Sequence, residues 1–246
     1  MADVIAIAVV ADIHGNLPAL ERVVDDIVRR GIETVINLGD HASGPLWPSE
    51  TIDFLMAQPW TQIAGNCDRA IRALDPSALG PSDRFAFDRL TSAQRAWLDA
   101  RPATARVNSV FAFHGTPTDD STYLLETVDS SGARFARPNE VSRRLNGTAS
   151  DVMLCAHSHV PRIVRLGQSL IVNPGSVGLP AYENTSPAPH VMESGSPDAH
   201  YAILTHDDRG WMALLVTVAY DADAAARLAE RNGRLDWARA LRTGFM

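Results

Sequence analysis

The chain has 246 residues, 46% of them hydrophobic and 21% charged, the balance of an ordinary soluble globular protein able to bury a full core as one domain over residues 1–246. Its net charge of −7 argues against a broad basic surface for nucleic acid, and no stretch approaches the roughly 20 apolar residues that span a bilayer. Cys67 and Cys155 are too few for a disulfide framework, so a reducing, cytoplasmic setting is expected.

The opening MADVIAIAVVAD has no basic leader and an acidic Asp3, and reads as a first strand over 4–10 rather than a signal peptide. Asn16 caps a helix running to about residue 30, with Ala19, Leu20, Val23, Val24, Ile27 and Val28 on one face and Gly31 as its stop. TVINL (34–38) is a second strand, a helix follows over about 49–57, and TQIA (61–64) is a third strand. From about 68 to 105 the pattern turns helical, and TSAQ at 91–94 resembles a capping box. SVFAF (109–113), DVMLCA (151–156) and SLIVN (169–173) are further strands. Residues 180–199, rich in Pro, Ser and Gly, read as a long loop. HYAILTHDDRGWMALLVTV reads as a hairpin, and about 221–241 as terminal helices. Strands alternating with helices imply a largely parallel α/β sheet.

The polar residues that end these runs form a particular set: Asp12 and His14 in ADIHGN, Asp40 in NLGDH, Asn66 in AGNCD, His114 in FAFHGT, and His157 and His159 in AHSH. Each follows a strand, and in open α/β sheets the loops beyond the carboxyl ends of strands build the binding crevice. His157 and His159 are two apart, a spacing that in a strand aims both rings to one side.

Two carboxylates, four imidazoles and one amide carbonyl give seven donors, too many for one ion and suited to two if a carboxylate bridges. Asp12, His14, Asp40 and His159 can hold the first, and Asp40, Asn66, His114 and His157 the second. Two divalent ions bring about +4 and the two aspartates remove 2, leaving about +2 to match a hydroxide plus a phosphodiester monoanion. The nitrogen and oxygen donors suit Mn, Fe, Ni or Zn better than Mg or Ca, with Mn favoured. A dinuclear amidase or peptidase would be richer in carboxylates.

These segments, in this order, resemble the calcineurin-like metallophosphoesterase superfamily: DIH for its D-x-H, then GD, GN, the histidine of FHG, and AHSH for its G-H-x-H. The resemblance covers about residues 4–180, and GNCD, HGTP and VNPGSVG look more like its small prokaryotic phosphodiesterase branch than like protein phosphatases. It implies an α/β fold, a four-layer α/β/β/α sandwich of two facing mixed sheets with the metal site at the strand carboxyl ends. It also implies the ligand set above and a metal-bridging hydroxide that attacks phosphorus in line without a protein nucleophile.

One position departs from the pattern. Many members have histidine directly after the asparagine, near the leaving group, where this chain has Cys67 followed by Asp68. A thiol, with an ordinary pKa of about 8.5, is a poor general acid. His41 is an alternative acid, Cys67 a wall of the substrate pocket, and Arg69 a phosphate contact to weigh against a merely solvated arginine. The expected activity is a phosphodiesterase on a small-molecule or nucleotide substrate, with long duplex nucleic acid disfavoured. A phosphomonoesterase or protein phosphatase of the same superfamily, or a non-catalytic interaction module on this fold, are the alternatives.

Overall fold

The computed structural model describes residues 5–72 and 75–246. Val4, read above as the start of the first strand, and residues 73 and 74 of the expected helical stretch lie outside the described residues. The first part of the chain runs β1 (Ile5–Val10), α1 (Leu17–Arg29), β2 (Thr34–Asn37), α2 (Pro48–Met56), β3 (Thr61–Gln62), α3 (Asn66–Ile71), α4 (Pro81–Arg89) and α5 (Ser92–Asp99). Then follow β4 (Thr104–Val107), β5 (Val110–Phe113), β6 (Glu126–Asp129), β7 (Gly132–Phe135), α6 (Pro138–Leu145), β8 (Val152–Leu154), β9 (Arg162–Leu166) and β10 (Ser169–Asn173). The last part holds β11 (Ala181–Asn184), β12 (His190–Glu193), β13 (Ala199–Asp207), β14 (Gly210–Val218), α7 (Ala222–Arg231) and α8 (Leu235–Thr243).

Two five-stranded sheets form, in the orders β14-β13-β1-β2-β3 and β4-β5-β8-β10-β9. Each is mixed. β1, β2 and β3 run parallel, as do β5, β8 and β10; antiparallel strands flank them on one side of the first sheet (β13, β14) and on both sides of the second (β4, β9). Alternation along β1 sends Ile7 and Val9 to one face and Ala8 and Val10 to the other. Ile7 and Val9 pack with Ile36, Leu38 and Ile63 against Val110, Val152, Leu154 and Val172 of the second sheet. On the opposite face, Ala8 and Val10 meet Ala19, Leu20, Val23 and Ile27 of α1. Beyond the second sheet Phe111, Phe113, Met153 and Ile171 meet Val141 and Leu145 of α6. The layers are therefore helix, sheet, sheet, helix, as expected. Truncating a side chain between the sheets, for example Leu154→Ala, should cost about 2–5 kcal/mol.

Local signals explain the ends of α1. Asn16 accepts a hydrogen bond from the Ala19 amide, and Gly31 leaves the helix with φ +70°. The expected apolar face extended one residue too far, because Val28 is 67% exposed. At 100° per residue it falls more than a quarter turn from the centre of Leu20, Val23 and Ile27, outside the buried stripe.

The loop expected over 180–199 is instead the two-stranded ribbon β11–β12. Its prolines, serines and glycine fall at the turns and ends, and strands of four residues are too short to show a clear alternation. The helical reading near 68–105 holds for α3, α4 and α5, but β4 begins at Thr104. The strands β4, β6, β7 and β9 and helix α6 were not anticipated. β4 and β9 are edge strands with exposed arginines, and β6–β7 is an isolated ribbon, so none carries an apolar run. Among the described residues no helix is long and apolar enough to cross a membrane.

Candidate metal centre

Asp12, Asp40 and Asn66 follow the parallel strands β1, β2 and β3, and His114, His157 and His159 follow β5 and β8. The carboxyl ends of both parallel strand sets thus deliver side chains to one place. The turns that do so are left-handed at five of these residues: Asp12 (φ +54°), His14 (+52°), Asp40 (+56°), His157 (+70°) and His159 (+60°). An L-residue in this region costs about 1–2 kcal/mol, least for Asp and Asn, and such strain concentrates at functional sites. His157 and His159 accordingly lie in the loop after β8 rather than in a strand, and the same-side expectation does not apply to them. One faces each side of the centre.

Two clusters result. Asp12, His14 and His159 present potential ligand atoms within 4.8 Å of one another, and so do Asp40, His114 and His157. Asp40 stands between them, with Oδ2 3.5 Å from His114 Nε2 and 3.9 Å from His14 Nε2. Asn66 Oδ1 lies 3.1 Å from His114 Nε2, and Asp12 Oδ1 lies 3.8 Å from that nitrogen and 3.7 Å from His159 Nε2.

Backbone carbonyls fix the tautomers, because a carbonyl can only accept. His14 Nδ1–H donates to Ser43 O (2.8 Å), His114 Nδ1–H to Leu38 O (2.7 Å) and His159 Nδ1–H to Leu179 O (2.6 Å). His157 is turned the other way and donates from Nε2 to Ser121 O (3.0 Å), which leaves Nδ1 facing inward. Such outer hydrogen bonds are how proteins orient metal-ligating imidazoles.

The electrostatics fit a cation. Both Asp12 oxygens are buried without a hydrogen-bond partner, and burial pushes this carboxyl well above the usual range. Burial also opposes ionisation of Asp40, but the His114 charge outweighs it and holds Asp40 well below the usual range. His114 is raised to about 10, the pull of Asp40 and Asp12 overcoming burial, while burial and the His114 charge push His157 down to about 4. A cluster of inward lone pairs and buried carboxylates therefore draws in a positive charge, and without metal a proton on His114 supplies it. Hard and borderline divalent ions match this nitrogen and oxygen donor set.

Close backbone packing sets the spacing. A Cβ on Gly39 (φ +100°) would lie 2.3 Å from Gly65 N, and one on Gly65 would lie 2.2 Å from Asp40 Oδ1. Asp68 ties the same loops together, accepting from Asp40 N (2.8 Å), His41 N (3.0 Å) and Gly65 N (2.9 Å) and pairing with His41 Nδ1 (2.7 Å). His41 is thus fully buried between Asp68 and Trp97 and does not line the cavity, so the sequence-based idea of a leaving-group acid there is corrected to a structural role. Of the two readings of Arg69 the solvated one agrees with its place: it forms an exposed bidentate pair with Asp120 (2.7 and 2.8 Å) and is not among the residues lining the cavity. Cys67 does line the cavity, as expected of a pocket wall. Its Sγ comes within 4.8 Å of ligand atoms of His14 and Asp40, but burial and the Asp40 charge hold the thiol well above its ordinary value. Cys155 is buried core.

The metal-facing side chains open into a cavity of about 730 Å³. Its far walls come from the β11–β12 ribbon, the start of α4 and the start of α8, with Tyr182, Asn184, Asp83, Arg234 and Trp237 among the lining residues. Tyr182 donates to the His157 carbonyl (2.9 Å), and the Tyr123 ring stacks on His157 at 4.6 Å. None of these is marked in the sequence by a motif. Asp68 alone had a signal, as the acid two residues after Asn66.

Such a two-sheet α/β fold, with aspartate, asparagine and histidine delivered from the ends of both sheets, defines a metallo-hydrolase architecture. Residues 5–207 match the calcineurin-like phosphoesterase superfamily domain, and the chain belongs to that family. It is 24% identical to an uncharacterized protein of Methanocaldococcus jannaschii, MJ0912, over 94% of both chains. In fold it is similar to a metallophosphoesterase from Sphaerobacter thermophilus (TM-score 0.73, 20% identity, 96% of this chain and 100% of that one). It is also similar to hypothetical protein PH1004 of Pyrococcus horikoshii OT3 (TM-score 0.74, 19% identity, 97% and 98%).

Proposed function

We propose that the protein is a metal-dependent phosphodiesterase acting on small-molecule or nucleotide phosphodiesters in the cavity beside His14, Asp40 and His157. Charge balance carries this reading. Bound in the two clusters, a pair of divalent ions, Mn before Fe, Ni or Zn, supplies about four positive charges and a hydroxide for in-line attack on phosphorus. Asp12 and Asp40 offset two of these charges, and Asn66 and the neutral imidazoles offset none. What remains suits a hydroxide and a diester monoanion.

A phosphomonoester dianion asks for one more cation. The arginines at hand are committed: Arg234 donates to Asp236 and to Ser82 Oγ (2.7 Å), and Arg69 to Asp120. The chain's own residues then act by position. The carbonyl anchors on His14, His114, His157 and His159 hold lone pairs inward, Asn66 presents its amide oxygen, and Tyr182 supports the His157 loop.

The test is hydrolysis of bis-p-nitrophenyl phosphate against p-nitrophenyl phosphate by chelator-stripped protein refilled with Mn²⁺. Metal-dependent turnover faster on the diester is expected. Preference for the monoester would transfer the reading to a phosphomonoesterase, and turnover of neither by the refilled protein would remove it.

A further inference from the structure

The position that many family members fill with histidine holds Cys67, a side chain that offers no imidazole to protonate a leaving group. A carboxyl group stands beside it. Asp83, in the first turn of α4, lines the same cavity as His14, Asp40 and Asn66. Carboxylates in a first helical turn usually serve the helix's own free N–H groups. Asp83 accepts instead from Ser43 Oγ at 2.6 Å, across 40 residues of sequence. Ser43 also supplies the carbonyl that orients His14. Cys67 lines the same cavity, and its Sγ lies within 4.8 Å of His14 and Asp40 ligand atoms. The Asp83 carboxyl thus stands in the wall of that cavity, bonded to the residue whose carbonyl orients His14.

Resting on the phosphodiesterase reading, we propose that Asp83 is the general acid that protonates the leaving group. As a hydroxide that the metal ions would supply bonded to phosphorus, the bond from phosphorus to the leaving oxygen would break. That electron pair stays on the leaving oxygen, which takes the Asp83 proton. An alcohol and a phosphomonoester leave, and the carboxylate regains its proton from water.

The surroundings suit the task. Burial pushes the Asp83 carboxyl up to about 6, with the Asp40 and Asp68 charges adding to it and the Ser43 and Cys67 hydrogen bonds opposing. Arg234, which lines the same cavity, is held on Ser82 and Asp236. An acid with a pKa near the working pH is the kind that general acid catalysis favours.

The test uses Mn²⁺-loaded wild type and Asp83→Asn on a series of methyl aryl phosphodiesters, from p-nitrophenol to unsubstituted phenol as leaving group. The near-isosteric asparagine should lower kcat on the phenyl ester by about 100-fold, with a loss at least about tenfold smaller on the p-nitrophenyl ester, which needs little protonation. The alkaline fall of kcat for the phenyl ester should vanish in the variant, and formate should partly restore Asp83→Ala on that ester. Two measurements need no turnover: bound Mn²⁺ should be the same in both proteins, and the Asp83 carboxyl ¹³C signal of metal-free protein should titrate near pH 6. An equal loss across the series, or a carboxyl titrating near pH 4, would overturn the assignment while leaving the phosphodiesterase reading intact. Wild-type protein that binds Mn²⁺ but cleaves no ester in the series would overturn both.

Discussion

The Nε2 atoms of His14 and His159 stand 3.1 Å apart, and each ring has already given its Nδ1–H to a carbonyl. Two lone pairs therefore face each other at hydrogen-bond distance, with an unpartnered Asp12 carboxylate beside them. Burial lowers the proton affinity of both rings, so a proton relieves the contact poorly. A divalent cation relieves it directly. Mn²⁺ at about 100 times its Kd should stabilise the fold by about 2.7 kcal/mol, which for a chain of this size raises Tm by about 5–10 °C. Differential scanning fluorimetry of stripped and refilled protein measures this, and His159→Ala should remove most of the rise.

Asp12 gives a prediction of opposite sign in the two states. Asparagine at this position removes, at nearly constant volume, a buried, unpartnered carboxyl whose ionisation burial opposes. Metal-free Asp12→Asn should be more stable than metal-free wild type by about 1–3 kcal/mol. In excess Mn²⁺ the order should reverse. Urea denaturation with and without metal reads both, and a metal-free variant less stable than wild type would contradict the account.

Asp68 is the peg on which the Asp40 and Gly65 loops hang. Asp68→Ala strips hydrogen bonds from three backbone amides and leaves buried His41 without its carboxylate. A loss of about 3–5 kcal/mol is expected, together with weaker Mn²⁺ binding in calorimetry. A stable variant with unchanged affinity would show that the loops hold their geometry without it.

Asp83 predicts a pH dependence. Its carboxyl rises from 3.8 to about 6 on folding, so between these values the folded chain binds more protons than the unfolded one. Stability from this group is present at the acid end and falls as pH rises through about 4 to 6, then levels off. In metal-free protein, the difference in unfolding free energy between wild type and Asp83→Asn should shift against wild type across that window. A difference that is flat with pH would contradict the raised carboxyl.

Gly65 links backbone to ligand geometry. A methyl group there meets Asp40 Oδ1, the oxygen that accepts from Cys67 N at 2.9 Å. Gly65→Ala should therefore displace Asp40 and lower metal affinity about tenfold or more, the scale of loss seen when the support of a ligand is removed. Mn²⁺ titration followed by calorimetry measures it.

Much of this was legible in the sequence because the chemistry sits where apolar runs stop. VIAIAVV before Asp12, TVINL before Asp40 and SVFAF before His114 each announced a strand and its carboxyl end. The α/β class with parallel strands followed from the same runs, since β1, β5 and β8 are buried on both faces, whereas the four layers came from the resemblance of the motifs. The tautomers were not legible, because they depend on carbonyls of Ser43, Leu38, Ser121 and Leu179 that only the fold brings near. The partners of His41 and Arg69 were hidden for the same reason: Asp68 and Asp120 claim them through contacts that adjacency in sequence does not reveal. Asp83 and Tyr182 stayed hidden in short amphipathic segments whose place against the cavity is set by tertiary packing.

The central claim, a pair of metal ions joined through Asp40 and used for diester hydrolysis, is tested most directly by counting bound Mn²⁺ and turnover together in wild type and Asp40→Asn. About two ions per chain with diester hydrolysis are predicted for wild type, and at most about one ion with a loss of at least about 100-fold in kcat for the variant. Full activity with one ion or none, or an Asp40→Asn protein that keeps both its metal and its rate, would contradict the account.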